Sequence, residues 1–367
     1  MTSVHYPFDT RIFHKECISL AMAGYDVTLI APHAEGDVTR GGVKLRAVTP
    51  PRNRNERIKQ TVPAVYRAAA EADAEIYHFH DAELMPIGAM LRMRGKKVIY
   101  DVHEDNPGSV FSKKWIPDPL KKPASLAMAA CEAGFGTAWN HVIAATPKIA
   151  GKFAKGRTSV VQNFPWKTEL VLAEGIPYEQ RENVVAYVGW LGDLRGLREM
   201  RQALELAVQE VRVRLIVGGA VKPGAKADYL GGNTEDGLIE YLGYVKRPEV
   251  AQLLGRARAG ILLLHPTFNY LPSQPTKLFE YMAAGLPVIM SDFPYIRSVV
   301  QDANCGILVD PLNPVESANA IVWIMQHPAE AAEMGRRGQR AVAEHYNWEH
   351  EAEGLIATYK QVRAART

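Results

Sequence analysis

The 367-residue chain reads as an α/β protein with two doubly wound parallel-sheet domains. Three observations predict this. Short β-branched runs alternate with amphipathic segments along the chain. The alternation restarts after a connector at 163–183 that carries Pro165, Gly175 and Pro177. The length suits about two domains at roughly 150 residues each, and the 47% apolar content can fill two cores.

In the first half, 26–30, 43–48, 75–80, 97–103, 141–145 and 159–162 read as strands, because each is a short run rich in β-branched or aromatic residues. Between them, 11–23, 62–72, 84–94 and 124–138 repeat apolar residues at helical spacing. In the second half, the strands fall at 184–188, 211–217, 238–242, 259–264, 288–290 and 306–309, and the helices at 198–209, 248–256, 276–284 and 315–326. Near-continuous apolar runs such as Gly260 to Leu264 suit parallel strands buried on both faces. The tail from 330 reads as two helical segments broken near Asn347. The expected domains are 1–165 and 166–345, with a last helix at 346–367. The opening is unusual: Thr2, Ser3 and Val4 look like the end of a central strand that is either short or begins further upstream.

Several classes are disfavoured. The net charge is 43 − 40 = +3, too small and dispersed to argue for nucleic acid. Cys17, Cys131 and Cys305 are far apart and form no ligand or disulfide framework, which suits reduced thiols in the cytoplasm. No apolar run approaches the roughly 18–20 residues of a membrane span, and the N-terminus lacks the pattern of a signal peptide. A metal centre built from the histidines and aspartates is disfavoured, because they show no compact ligand spacing.

The stretch 272–291 carries the clearest chemistry. It reads as a loop, a helix of two to three turns with Pro275 in its first turn, a stop at Gly285, and a strand. Thr276, Lys277 and Leu278 lie where helix N–H groups and dipole favour an anion such as phosphate. One turn on, the Glu280 carboxylate suits a vicinal diol such as a ribose. The bland alternative is an ordinary amphipathic helix with solvated Lys and Glu. The run 184–197 is a strand followed by a loop with Gly189, Gly192 and Gly196, the last preceded by Arg195. Glycine lets backbone approach a ligand, and guanidinium pairs bidentately with phosphate. The alternative for Arg195 is a solvated turn. The spacing is not the GxGxxG of nicotinamide-binding folds.

These stretches resemble the donor-site signature of family 4 glycosyltransferases, and the resemblance covers nearly the whole chain. It implies the GT-B fold, two facing Rossmann-like domains with the ligand cleft between them. It implies a nucleotide-sugar donor whose diphosphate lies at the helix tip and at Arg195, with Glu280 on the ribose. It points to Tyr244 as a nucleobase contact, for which core packing is an equal explanation. Two departures stand out. Pro272 replaces the first Glu of the family's E-x7-E pattern, and Trp190 replaces an Arg that commonly follows the first glycine, with Lys277 as candidate substitute.

Three polar clusters close strands of the first half, where an α/β domain presents ligand-binding groups. His103 matches a family histidine near the reacting sugar and is the catalytic candidate beside Glu280. Asp9, Arg11, His80, Asp81 and Glu104 form the acceptor-side set, with Asp101 in the same tier, and His78 reads as a buried structural histidine. The basic stretches 52–59 and 111–122 read as solvated loops. The sharper reading is contact with an anionic membrane surface at the inner face.

The resemblance therefore implies retaining, metal-independent transfer of a sugar to a glycan or lipid-linked glycan acceptor in bacterial envelope or exopolysaccharide assembly, with no cofactor. The alternatives are a nucleotide-sugar epimerase of the same fold, or a non-catalytic nucleotide-sugar-binding subunit.

Overall fold

The computed structural model describes residues 1–113, 116–136, 138–171, 176–221 and 237–365. The chain divides into two units. The first comprises Met1–Asn163 with Trp348–Thr367, and the second Phe164–Asn347.

In the first unit, β1 (Val27–Pro32), β2 (Val38–Arg40) and β3 (Val43–Val48) form one small sheet, with β3 parallel to β1 and antiparallel to β2. A second, all-parallel sheet has the order β4 (Ile76–Phe79), β5 (Lys97–Val102), β6 (His141–Ala144), β7 (Thr158–Val160). The opening residues lie between these sheets and hydrogen-bond to both. Thr2 N–H donates to the Ile30 carbonyl at 3.0 Å, and His80 N–H donates to the Met1 carbonyl at 3.3 Å. Beside them a cavity of about 500 Å³ is lined by Leu20, Val27, Leu29, Tyr77 and Tyr359 among others.

The core under the second sheet is aromatic. Phe79 stacks on Tyr100 at 4.8 Å, and Trp139 meets Phe79 edge-on at 5.3 Å, geometries that the ring quadrupole favours. The C-terminal helix Trp348–Ala364 belongs to this unit. Trp348 is fully buried and its Nε1–H donates to Ser19 Oγ at 2.9 Å, so the indole's one polar group is satisfied. Glu351 accepts from Gln162 N–H at 2.7 Å.

The second unit holds a single parallel sheet of β8 (Val184–Val188), β9 (Arg214–Gly218), β10 (Ile239–Tyr241), β11 (Ala259–Leu262), β12 (Val288–Ser291) and β13 (Gly306–Val309). Its spatial order is β10-β9-β8-β11-β12-β13. Renumbered within the unit this is 3-2-1-4-5-6, the Rossmann order, whose strand sequence reverses between β8 and β11. Apart from β10 and β13 the strands are buried almost end to end, as the continuous apolar runs require.

Some local readings change. The helix expected from 124 begins at Asp118 and runs to Gly136 with Pro123 inside it. Proline there costs one backbone hydrogen bond, which is why sequence alone places the start after it. The helix Pro294–Ala303 was not expected. It is bounded by Pro294 in its first turn and by Asn304 in the left-handed region at φ 45°, both recognisable stop and start signals. Pro275 precedes its helix rather than sitting inside the first turn: at φ −72° and ψ 121° it is extended, and Thr276 begins Thr276–Ala283. Of the basic stretch 111–122, Lys114 and Trp115 lie outside the described residues. Among the described residues no helix is long and apolar enough to cross a membrane.

Candidate active site

The second unit gathers its candidates at the carboxyl ends of β8 and β11, the reversal point where open α/β sheets bind ligands. Gly189 follows β8 at φ 132°, and a Cβ there would collide with the end of the Lys277 side chain. The ammonium of Lys277 therefore lies against the glycine backbone. Gly196 is left-handed at φ 74°, and a Cβ there would fall on the Leu263 carbonyl oxygen just after β11. Gly192 is extended at φ −179°, a conformation open to any residue.

Lys277 and Glu280 stand on the first turns of Thr276–Ala283, whose apolar face (Leu278, Phe279, Tyr281, Met282, Ala283) is buried and fixes the helix in place. Leu278 is thus a packing residue by its side chain, and only its backbone serves the helix tip. No side chain caps this N-terminus, so the positive end of the dipole faces the loop uncompensated by a cap.

Arg247, at the head of helix Arg247–Arg256, was not singled out from sequence. It donates Nη1 to Glu280 Oε1 and Nε to Glu169 Oε1, each at 2.7 Å. The clue was faint: a Lys246–Arg247 pair before Pro248 at a helix start. Arg195 is not a solvated turn residue. Its Nε is buried without a hydrogen-bond partner, and the hydroxyls of Tyr187 and Tyr270 face the guanidinium.

Burial pushes the Lys277 amine down to about 8. Glu280 pulls the other way, while Arg195 and Arg247 add repulsion. Three cations thus share one small space with two carboxylates, Glu280 and Glu169, an excess of positive charge that favours a bound polyanion. Tyr244 is 77% exposed, so core packing does not account for it, and Trp190 is 52% exposed.

In the first unit the candidates separate into two kinds. Arg11, His80 and His103 converge on Asp101, which is fully buried at the end of β5. Arg11, only 4% exposed, donates Nη2 to both Asp101 oxygens at 3.1 and 3.2 Å, Nη1 to the Val161 carbonyl at 2.9 Å, and Nε to His103 Nε2 at 3.2 Å. His103 Nε2 is also 3.0 Å from Asp101 Oδ2, and His80 Nδ1 is 3.2 Å from His103 Nε2. Burial opposes the Asp101 charge, but Arg11, and then His103, hold its carboxyl well below the usual carboxylate range. Arg11 is thus an internal organiser of the histidines.

Asp9 and Asp81 serve the backbone. Asp9 accepts from the N–H groups of Arg11 and Ile12 at 2.8 and 2.9 Å. Although burial opposes its charge, its hydrogen bond from His5 and these N–H groups lower it to about 2. Asp81 accepts from Thr2 Oγ1 and Ser3 N at 2.8 and 2.6 Å. Glu104 is exposed.

Residues 11–164 match the family model described as Glycosyltransferase Family 4, and residues 182–327 the model described as Glycosyl transferases group 1. The chain belongs to the family 4 glycosyltransferases.

Relatives of this glycosyltransferase family member include O-antigen chain mannosyltransferase B of Escherichia coli. It is 29% identical over 199 residues, covering 51% of this chain and 50% of that protein. D-inositol 3-phosphate glycosyltransferase of Rhodococcus opacus is 30% identical over 196 residues, covering 50% and 42%. The chain spans about half the length of the curated relatives it matches. Among solved structures, sucrose-phosphate synthase of Thermosynechococcus elongatus superposes with a TM-score of 0.72 at 18% identity, covering 97% of this chain and 93% of that one. HepE of Anabaena, solved with UDP-glucose, gives a TM-score of 0.68 at 15% identity, covering 94% of each chain. These neighbours share the GT-B fold with it.

Proposed function

We propose that this family 4 glycosyltransferase moves a sugar from a nucleotide-sugar donor to an acceptor hydroxyl with retention of configuration. The observation that carries this is the group Arg195, Lys277, Arg247 and Glu280 around an uncapped helix N-terminus at the reversal point of a Rossmann-ordered sheet. The helix tip, Arg195 and Lys277 hold the diphosphate, and Glu280, oriented by Arg247, takes the ribose hydroxyls. Tyr244 offers its exposed ring to the base. The bond from the anomeric carbon to the diphosphate breaks, the acceptor oxygen bonds that carbon, and its proton leaves with the diphosphate. The cations stabilise the charge that develops on the leaving group, which is the largest catalytic term in many enzymes. No divalent ion is required at the diphosphate in this reading. In the first unit, His103 is the proposed hydrogen-bonding partner of the reacting sugar, oriented through Nε2 by Arg11 and Asp101. The O-antigen mannosyltransferase among the relatives supports a glycan acceptor in envelope polysaccharide assembly.

A panel of nucleotide sugars with and without glycan acceptors tests the reading. One donor at a hundred times its Kd is expected to stabilise the protein by ~2.7 kcal/mol, seen as a rise in Tm. Free nucleoside diphosphate is expected to accumulate only when acceptor is present. An isomerised donor without acceptor indicates an epimerase instead, and saturable binding without turnover a non-catalytic subunit.

The position of Lys277 adds a pH dependence. The amine is charged below about 8, and a bound diphosphate favours that form. Affinity for a nucleoside diphosphate is expected to stay level up to pH 7 and then fall by up to about tenfold per unit above pH 8. Stability of the free protein runs the other way. The buried charge costs most below about 8, and the cost fades as pH rises toward the amine's ordinary 10.5. Calorimetric titration from pH 6.5 to 9.5 checks this, and Lys277→Arg is expected to flatten the binding curve.

A further inference from the structure

The first unit brings together four metal-ligating side chains, of which the proposed transfer reaction uses only Asp101, to orient His103. Glu16, His78, His80 and Asp101 each offer one ligand atom, and these atoms all lie within 4.8 Å of one another. Asp101 Oδ2 is 3.4 Å from His80 Nδ1 and 3.6 Å from His78 Nε2, and Glu16 Oε2 is 3.9 Å from His80 Nδ1. A tetrahedral ion with bonds of 2.0–2.2 Å sets its ligands roughly 3.4 Å apart, so small side-chain adjustments close the set.

An independent observation points the same way. Glu16 Oε2 and His78 Nε2 are buried without a hydrogen-bond partner, and Glu16 is only 1% exposed. Orphaned buried groups of this kind are costly in native proteins. The other nitrogen of His78 is already used, since Nδ1 lies 2.9 Å from the Tyr359 hydroxyl. That is how outer partners orient a ligating imidazole.

Arg11 is a strong cation against the carboxylates. It lies 2.8 Å from Glu16 Oε1 and 3.1 Å from Asp101 Oδ1. Glu16 Oε2 and Asp101 Oδ2 are the oxygens turned toward the imidazoles. From these observations we propose that Glu16, His78, His80 and Asp101 bind a divalent ion of the zinc class within the first unit. Two imidazoles and two carboxylates suit such an ion better than the all-oxygen shells of magnesium or calcium. The site is separate from the donor-binding residues of the second unit, and its test does not depend on turnover.

The full chain, stripped with a chelator, is given one equivalent of ZnCl₂ and desalted, and its zinc is measured by mass spectrometry. About one zinc per chain is expected, against less than a fifth of that for His78→Gln/His80→Gln. Cobalt in place of zinc is expected to show the visible bands of a tetrahedral centre. Tyr359→Phe, which removes only the hydroxyl behind His78, is expected to weaken zinc binding about tenfold or more. Zinc-free wild-type protein overturns the proposal. So does equal zinc in the folded double variant, which places the ion elsewhere. If the double variant does not fold, absence of the cobalt bands in wild type, or unchanged affinity in Tyr359→Phe, overturns it equally.

Discussion

Glu280→Ala is expected to lower kcat/KM for the nucleotide sugar by about 100-fold or more while the fold persists. The carboxylate is held by Arg247 at 2.7 Å and its side chain is only 15% exposed, so its orientation is set before the donor arrives. Two charge-assisted hydrogen bonds to a ribose diol, each worth about 1.5–3 kcal/mol, correspond to a loss of about two to four powers of ten. The fold should tolerate the change, because the apolar anchors of helix Thr276–Ala283 are Leu278, Phe279, Tyr281, Met282 and Ala283. Arg247 also keeps Glu169 as partner. Steady-state kinetics with a thermal melt on the same sample decides the matter. A loss under threefold removes Glu280 from the site, and a collapsed melt assigns it to structure.

The second large effect concerns stability. Gly196→Ala is expected to destabilise the second unit by about 3–5 kcal/mol. Two costs add there. An alanine at φ 74° pays roughly 1–2 kcal/mol for the left-handed conformation. Its Cβ would also overlap the Leu263 carbonyl oxygen. That oxygen is main chain directly after β11, and the neighbouring Leu264 carbonyl is tied to Ser291 Oγ at 3.0 Å, so the backbone has little room to yield. Gly243→Ala separates the costs, since Gly243 is also left-handed at φ 67° with nothing within 4 Å of its Cβ direction. It is expected to lose only the conformational part. Urea midpoints for the two variants give the comparison, and equal losses would show that the Leu263 contact is inconsequential.

The glycine loop and the helix start that carry the second unit's candidates are legible because they are local. Thr276, Lys277 and Glu280 fall within one and a half turns of one helix, and Gly189 to Gly196 form one strand-to-helix turn. Apolar periodicity and glycine punctuation mark both directly. Lys277 is a cation candidate by its place at the helix start, but that its amine lies on the Gly189 backbone depends on two segments 88 residues apart meeting. Arg247 carries no local signal strong enough to separate it from other helix-leading basic residues.

The first unit shows the opposite balance. Its polar clusters could be placed at strand ends by pattern, yet their division of labour could not. Asp9 and Asp81 satisfy backbone N–H groups, while Arg11, Glu16, His78, His80 and His103 meet around Asp101. Arg11 is an acceptor-side candidate by sequence and is almost wholly internal in the structure.

The sequence by itself determined the α/β class, the break into two units near 163–183, the order of strands and helices, and the positions of the glycine loop and of the helix start at Thr276. Each of these rests on periodicity or turn chemistry within a window of about 10–20 residues. Only the tertiary structure decided which charges share a buried space, because that depends on strand order and on helices returning from distant parts of the chain. In a low-dielectric interior those long-range neighbours, more than residue type, set whether a carboxylate, an imidazole or an amine is paired, neutral or poised for a ligand.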